Sequence, residues 1–144
     1  MQYPAITSSE VAVQKIQGEK IMKFLSIFKH AERNGPPSQE EINTMGKLIE
    51  EGMKGGWLLG TEGCLPSALG ARVRRSGEKI TVTDGPFIES KEVVGGFALL
   101  QANSKEEAIK LVKDFLQVAG EGECELRQLY EVGDASCTEK AANA

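Results

Sequence analysis

Read for its alternation of apolar and polar positions, the chain resolves into short strands and two amphipathic helices. Lys23–Lys29 is short, aromatic and partly β-branched, the pattern of a buried strand. Asn34-Gly35-Pro36-Pro37 breaks it, and Ser38 then opens a helix as N-cap, with Glu41 three residues on completing a capping box. Ile42, Met45, Leu48, Ile49 and Met53 follow at spacings of 3, 3, 1 and 4, one apolar stripe at helical period, which Gly52, Gly55 and Gly56 end. Trp57–Leu59 begins a second strand, and Gly60, Gly63 and Pro66 interrupt any long element after it. Ala71–Arg75 and Lys79–Thr83 flank the polar turn Ser76-Gly77-Glu78 as a hairpin. Val93–Ala102 is a further strand. Ser104 caps a second helix with Glu107 in the box position and a stripe of Ala108, Leu111, Val112, Phe115 and Leu116. Cys124–Val132 is the last strand.

With the hairpin set aside as an extra, the order is β-α-β-β-α-β. That predicts an α+β, ferredoxin-like antiparallel sheet with both helices on one face. The other face has no helix to cover it, so an apolar open face predicts a homodimer packed sheet to sheet, with two-fold symmetry the commonest solution. Residues 22–132 form the folded unit. The segment before it, 1–21, has weak periodicity, and 133–144 offers almost nothing large to bury, so both read as weakly ordered termini.

Composition narrows the function classes. The chain has 144 residues and a formal charge of −4, and its 40% hydrophobic content supports a packed core. The acidic balance gives no electrostatic reason for nucleic-acid binding, which needs a basic face. No apolar run approaches the roughly 20 residues of a membrane helix. Cys64, Cys124 and Cys137 form no CxxC or Cys/His cluster, so neither a metal site nor a disulfide framework is readable. The N-terminal stretch does not read as a signal peptide, and a cytoplasmic, reduced, cofactor-free protein is the expectation.

The chemistry-bearing residues each admit two readings. Asp84 suits a general acid or base set by a rigid Gly-Pro turn, and equally an Asx-type cap bonding nearby backbone N–H groups. His30, the single histidine, is the natural proton shuttle, and otherwise a surface histidine at a strand end. Alternation puts it with Phe24, Ser26 and Phe28, on the open face. Arg72 and Arg74 share a strand face, suited to gripping a carboxylate or phosphate or to a solvated hairpin surface. Glu89 is a second carboxylate near Asp84, and Phe87 a plug for the core or the dimer seam. Cys64 has no neighbouring base in sequence to make it a nucleophile. Trp57 and Tyr130 read as core or interface aromatics.

The run Thr81-Val82-Thr83-Asp84-Gly85-Pro86-Phe87-Ile88-Glu89-Ser90-Lys91-Glu92-Val93-Val94-Gly95-Gly96-Phe97 resembles the signature of the DGPF branch of the YciI-like (YCII-related) family. Met22-Lys23-Phe24, Gly70-Ala71-Arg72-Val73 and Leu126-Arg127-Gln128 agree with it. The resemblance implies a ferredoxin-like subunit that dimerises through its sheet and has a cleft beside the DGPF turn. It also brings in a branch with a dehydrochlorinase of chlorinated muconate-type compounds, members linked to extracytoplasmic-function sigma factors, and a catalytic His–Asp pair whose Asp falls on Asp84. Two function classes follow. One is a proton-transfer enzyme eliminating or isomerising a small anionic metabolite, with Asp84 and His30 in the acid–base roles. The other is a non-catalytic metabolite-binding or regulatory homodimer.

Overall fold

The computed structural model describes residues 21–131, so the expectations for residues 1–20 and 132–144 lie outside the described residues. Among the described residues, six strands and two α-helices run in the order β1 (Met22–His30), α1 (Gln39–Gly55), β2 (Leu58–Gly63), β3 (Ala71–Ser76), β4 (Lys79–Asp84), β5 (Val93–Ala102), α2 (Lys105–Ala119) and β6 (Glu123–Gln128). A 3₁₀ turn, Ser67–Leu69, sits between β2 and β3. Four strands form one sheet in the order β2-β5-β1-β6, with every pairing antiparallel. This α+β arrangement is compatible with a ferredoxin-like fold. Strands β3 and β4 form a separate two-stranded sheet.

Both helices begin as their sequences dictate. The Ser38 and Ser104 hydroxyls accept from the backbone N–H of Glu41 and Glu107, each at 3.1 Å, satisfying donors that a helix N-terminus leaves free. The second half of the box differs between the helices: the Glu41 carboxylate keeps the Ser38 N–H beside it while pairing with Arg33 at 2.7 Å, whereas Glu107 reaches one residue past its cap to the N–H of Asn103. Helix α1 runs through Gly52 to Gly55 and stops at Gly56, whose φ of 78° lets its N–H return to the Met53 carbonyl. Gly52 is therefore a packing residue rather than a breaker. A Cβ there would lie 2.8 Å from the Leu58 Cβ, so glycine lets α1 close onto the start of β2.

The core gathers Phe24 from β1, Leu58 from β2, Leu100 and Ala102 from β5 and Ala108 from α2, with Ile49 of α1 and Val112 of α2 packed against it. Cross-strand pairing of Phe24 with Leu100 fixes which side the helices cover. Phe24, Ser26 and Phe28 thus face the helices, and Phe28 meets Phe115 of α2 edge to face, with ring centroids 5.4 Å apart. The open-face assignment of these residues is corrected: Phe24, 2% exposed, is the largest side chain buried in full and commits its face to the core. By alternation the opposite face presents Leu25 and Ile27 of β1, paired with Leu99 and Phe97 of β5. Lys29, Glu125 and Arg127 line its β6 edge as an ion-pair chain.

Two strands depart most from the sequence reading. Strand β2 continues through Gly60 to Gly63 because it can lie close to Gly96 of β5, where a Cβ would come within 2.6 Å of the Glu62 carbonyl oxygen. Strand β6 ends at Gln128, although Leu129 still donates to the Lys23 carbonyl at 2.8 Å. Tyr130, read as a core or interface aromatic, is exposed in the subunit.

Candidate functional site

The candidate site residues come from four neighbouring pieces of chain: the end of β1, the 3₁₀ turn, β3, and the segment Asp84–Ser90 that runs on from the end of β4. A bulge between Phe28 and Lys29 offsets the register, and His30 closes β1 opposite Val93. Its imidazole stacks on Phe28 with centroids 5.1 Å apart and ring planes within 6°. It lies against Gly95, where a Cβ would stand 2.5 Å from ring atoms Cδ2 and Nε2. Glycine at that position makes the room for the ring.

Two residues after the end of β1, Glu32 accepts the Ser67 N–H at 3.3 Å. Ser67 is the hub of this region. Its carbonyl receives the Gly70 N–H at 2.9 Å, and its hydroxyl receives the Phe87 N–H at 3.1 Å. Gly85 donates to the Gly70 carbonyl at 3.0 Å and passes so close to Ser67 that a Cβ would stand 1.7 Å from the Ser67 carbonyl oxygen. Gly85–Pro86 is a cis peptide. Neither Glu32 nor Ser67 figures among the residues read from sequence, since an isolated Glu and a Ser in a Gly/Pro-rich loop carry no distinguishing signal.

Beyond the turn, the Phe87 ring lies under the Arg72 guanidinium, 3.8 Å from ring centroid to Cζ, a cation–π platform. Arg72 is further held by the Glu89 carboxylate and by the Ser90 hydroxyl, the latter at 2.9 Å. The Glu89 carboxyl is held below the usual carboxylate range by its own backbone N–H and by Arg72. Phe87 is thus neither a core plug nor part of the core cluster; it is the surface on which Arg72 rests.

The structure brings together Arg72, Phe87 and Glu89, and it leaves Asp84 on the other side of the hairpin. Ala71 pairs with Asp84 and Val73 with Val82, so alternation puts Asp84 on the face of Val73 and Val82. Arg72 and Arg74 share the opposite face with Thr81 and Thr83. Among the described residues the Asp84 carboxylate makes no hydrogen bond or ion pair, with His30 or with any other group, so an Asx-type cap is not formed. The Cys64 side chain is exposed, and its N–H bonds the Gly95 carbonyl at 2.8 Å. Burial pushes the Cys124 thiol above its usual range.

Among the described residues no three His, Cys, Asp or Glu side chains cluster as metal ligands would. No described helix is long and apolar enough to cross a membrane. In chemical terms, the arrangement offers a fixed arginine with a displaceable carboxylate partner, and a separate, uncommitted aspartate.

A protein of Rhizobium meliloti (strain 1021), "Uncharacterized protein R00369", is 34% identical over 73 residues, covering 49% of this chain and 59% of that protein. The chain therefore matches over less than two-thirds of that relative's length. The sequence model of the YCII-related domain matches residues 22–132, from the start of β1 to just beyond β6. On that match, the chain belongs to the YCII-related domain family.

Proposed function

We propose that the chain is a cytoplasmic homodimer of the DGPF type that binds a small anionic metabolite beside the Asp84–Phe87 turn without transforming it. The observation that carries this reading is the held arginine: Arg72 is stacked on Phe87 and paired with Glu89. A guanidinium fixed on an aromatic face loses little freedom when it takes a bidentate anion. Glu89 occupies the position a ligand carboxylate or phosphate would take, and Arg74 on the same face adds positive charge. Among the described residues no acid–base pair stands beside that arginine. Sheet-to-sheet dimerisation rests on the apolar open face of Leu25, Ile27, Phe97 and Leu99, which lies opposite the face that the two described helices cover.

The test is a thermal-shift screen against small carboxylates, phosphorylated metabolites and muconate-like acids. A ligand present at 100 times its dissociation constant adds about 2.7 kcal/mol, enough to register. Arg72→Ala abolishes the shift and Glu89→Gln enlarges it by removing the competing carboxylate. A hit that both variants leave unchanged refutes the site. Light scattering that returns a monomer of 15.6 kDa refutes the dimer.

One observation favours a second reading, a proton-transfer enzyme using Asp84 and His30. The Asp84 carboxylate is not spent on the turn and remains available for chemistry. That reading requires Asp84→Asn to abolish turnover of an identified ligand while leaving its binding intact.

A further inference from the structure

The β3–β4 hairpin stands outside the main sheet, and every residue from Ala71 to Asp84 is exposed. An isolated two-stranded ribbon is marginal in water, and it gains stability by packing on something. Its two faces differ sharply. One carries Arg72, Arg74, Ser76, Lys79, Thr81 and Thr83. The other has Val73 opposite Val82 at its centre, Ile80 beside Arg75 at the turn end, and Ala71 beside Asp84 at the base. Val73, Ile80 and Val82 are 69%, 65% and 64% exposed, a contiguous apolar stripe with one positive and one negative end.

We propose that this face joins the same face of a second copy of the chain. Two ribbons pack stripe to stripe in opposite directions, about a two-fold axis that crosses them at the Val73–Val82 pair. The charge pattern selects that occupant. Reversing direction brings the Asp84 end of each ribbon over the Arg75 end of the other, so the face is complementary to itself, as an isologous interface must be. Within one subunit the two charges stay apart. Arg75 and Asp84 lie at opposite ends of the ribbon, four residues or about 13 Å apart along the strands. In the subunit Arg75 donates only from Nε, to the Gly77 carbonyl at 2.8 Å, and Asp84 has no described partner. This pairing does not depend on the sheet-to-sheet reading, because the hairpin and the open face belong to different sheets.

A charge swap tests it. Self-association of the full chain is measured by analytical ultracentrifugation at low salt for wild type, Arg75→Asp, Asp84→Arg, the double swap, and Phe97→Asp on the open face. The expected result is that each single reversal weakens association about tenfold or more, while the double swap restores it. Single reversals without effect, or a double swap that fails to rescue, overturn the proposal. Loss of association in Phe97→Asp alone leaves the sheet-to-sheet reading standing and removes this one. Loss in the hairpin reversals alone does the opposite, and a monomeric wild type removes both. Hydrogen exchange of the wild-type chain needs no variant. Hairpin amides that gain protection as concentration rises support the pairing, and hairpin protection independent of concentration overturns it.

Discussion

Gly85→Ala is the substitution whose cost follows most directly from geometry. Gly85 does not have the positive φ that favours glycine, so backbone conformation is not what requires it. Space is. An added Cβ would stand 1.7 Å from the Ser67 carbonyl oxygen and 2.6 Å from its carbonyl carbon, both backbone atoms that no rotamer can move. Relief requires the turn to withdraw from Ser67 by well over 1 Å, a shift that stretches two hydrogen bonds past useful length. These are Gly85 N–H to the Gly70 carbonyl, now 3.0 Å, and Phe87 N–H to the Ser67 hydroxyl, now 3.1 Å. Each bond contributes about 0.5–1.5 kcal/mol net, and overpacking costs about 1–3 kcal/mol, so the expected loss is about 2–6 kcal/mol. Ser67→Ala removes only the hydroxyl bond and should cost about 1 kcal/mol. Urea unfolding of the two variants beside wild type reads the order. The hairpin shares no ladder with the main sheet, so part of the loss can be local, and amide exchange of β3 and β4 detects that part. Gly85→Ala within about 0.5 kcal/mol of wild type, with hairpin protection unchanged, would refute the close-approach reasoning.

Three further outcomes follow from other contacts. Gly95→Ala drives a methyl group into the His30 ring and should cost about 1–3 kcal/mol; combined with His30→Ala the cost should shrink, and a double-mutant cycle with no coupling contradicts the contact. Glu41, Glu50, Glu89 and Glu125 all have carboxyls held low, for the most part by Arg or Lys partners. Depressed folded-state values mean that their stabilisation is complete above the ordinary 4.5 and disappears as pH falls through the folded values, so thermal unfolding scans should show melting temperature dropping below that pH and holding steady above it. Phe87→Leu keeps an apolar contact but removes the ring beneath Arg72, so anion-dependent thermal shifts should fall several-fold while stability in the absence of ligand changes little.

Much of the fold was legible because its signals are local. Ser38 and Ser104 mark helix starts through bonds made within one turn, and the Ala108–Leu116 stripe identifies the buried side of α2. Val93–Ala102 was readable to the residue, since Gly95-Gly96 and the apolar run behind it fit one strand. What could not be read depends on register and on distant packing. Taking Ser76-Gly77-Glu78 as a three-residue turn sets Asp84 opposite Gly70, on the face of Arg72 and Arg74. The actual turn has two residues, with Ser76 paired to Lys79 and Gly77 at φ 62°, as glycine-first hairpin turns prefer. That slip of one residue moves Asp84 to the opposite face. Likewise, Glu32 and Ser67 meet across 35 positions of sequence, a distance no local pattern spans.

Three residues of the Asp84–Phe87 motif therefore perform separable tasks. Gly85 is a steric requirement, because it lets the turn rest on the Ser67 backbone. Phe87 is a positioning residue, fastened by its own N–H to Ser67 and presenting its ring to Arg72. Both act toward the arginine side of the hairpin, which is where the held guanidinium lies. Asp84 points by register to the other side, toward the valine stripe, and neither the turn nor the arginine uses its charge. A residue that contributes nothing to the packing of its own motif must find its partner outside it. On this surface the candidates are a ligand or a second copy of the chain, and the Arg75–Asp84 swap separates them, since only the second copy can be restored by exchanging the two charges.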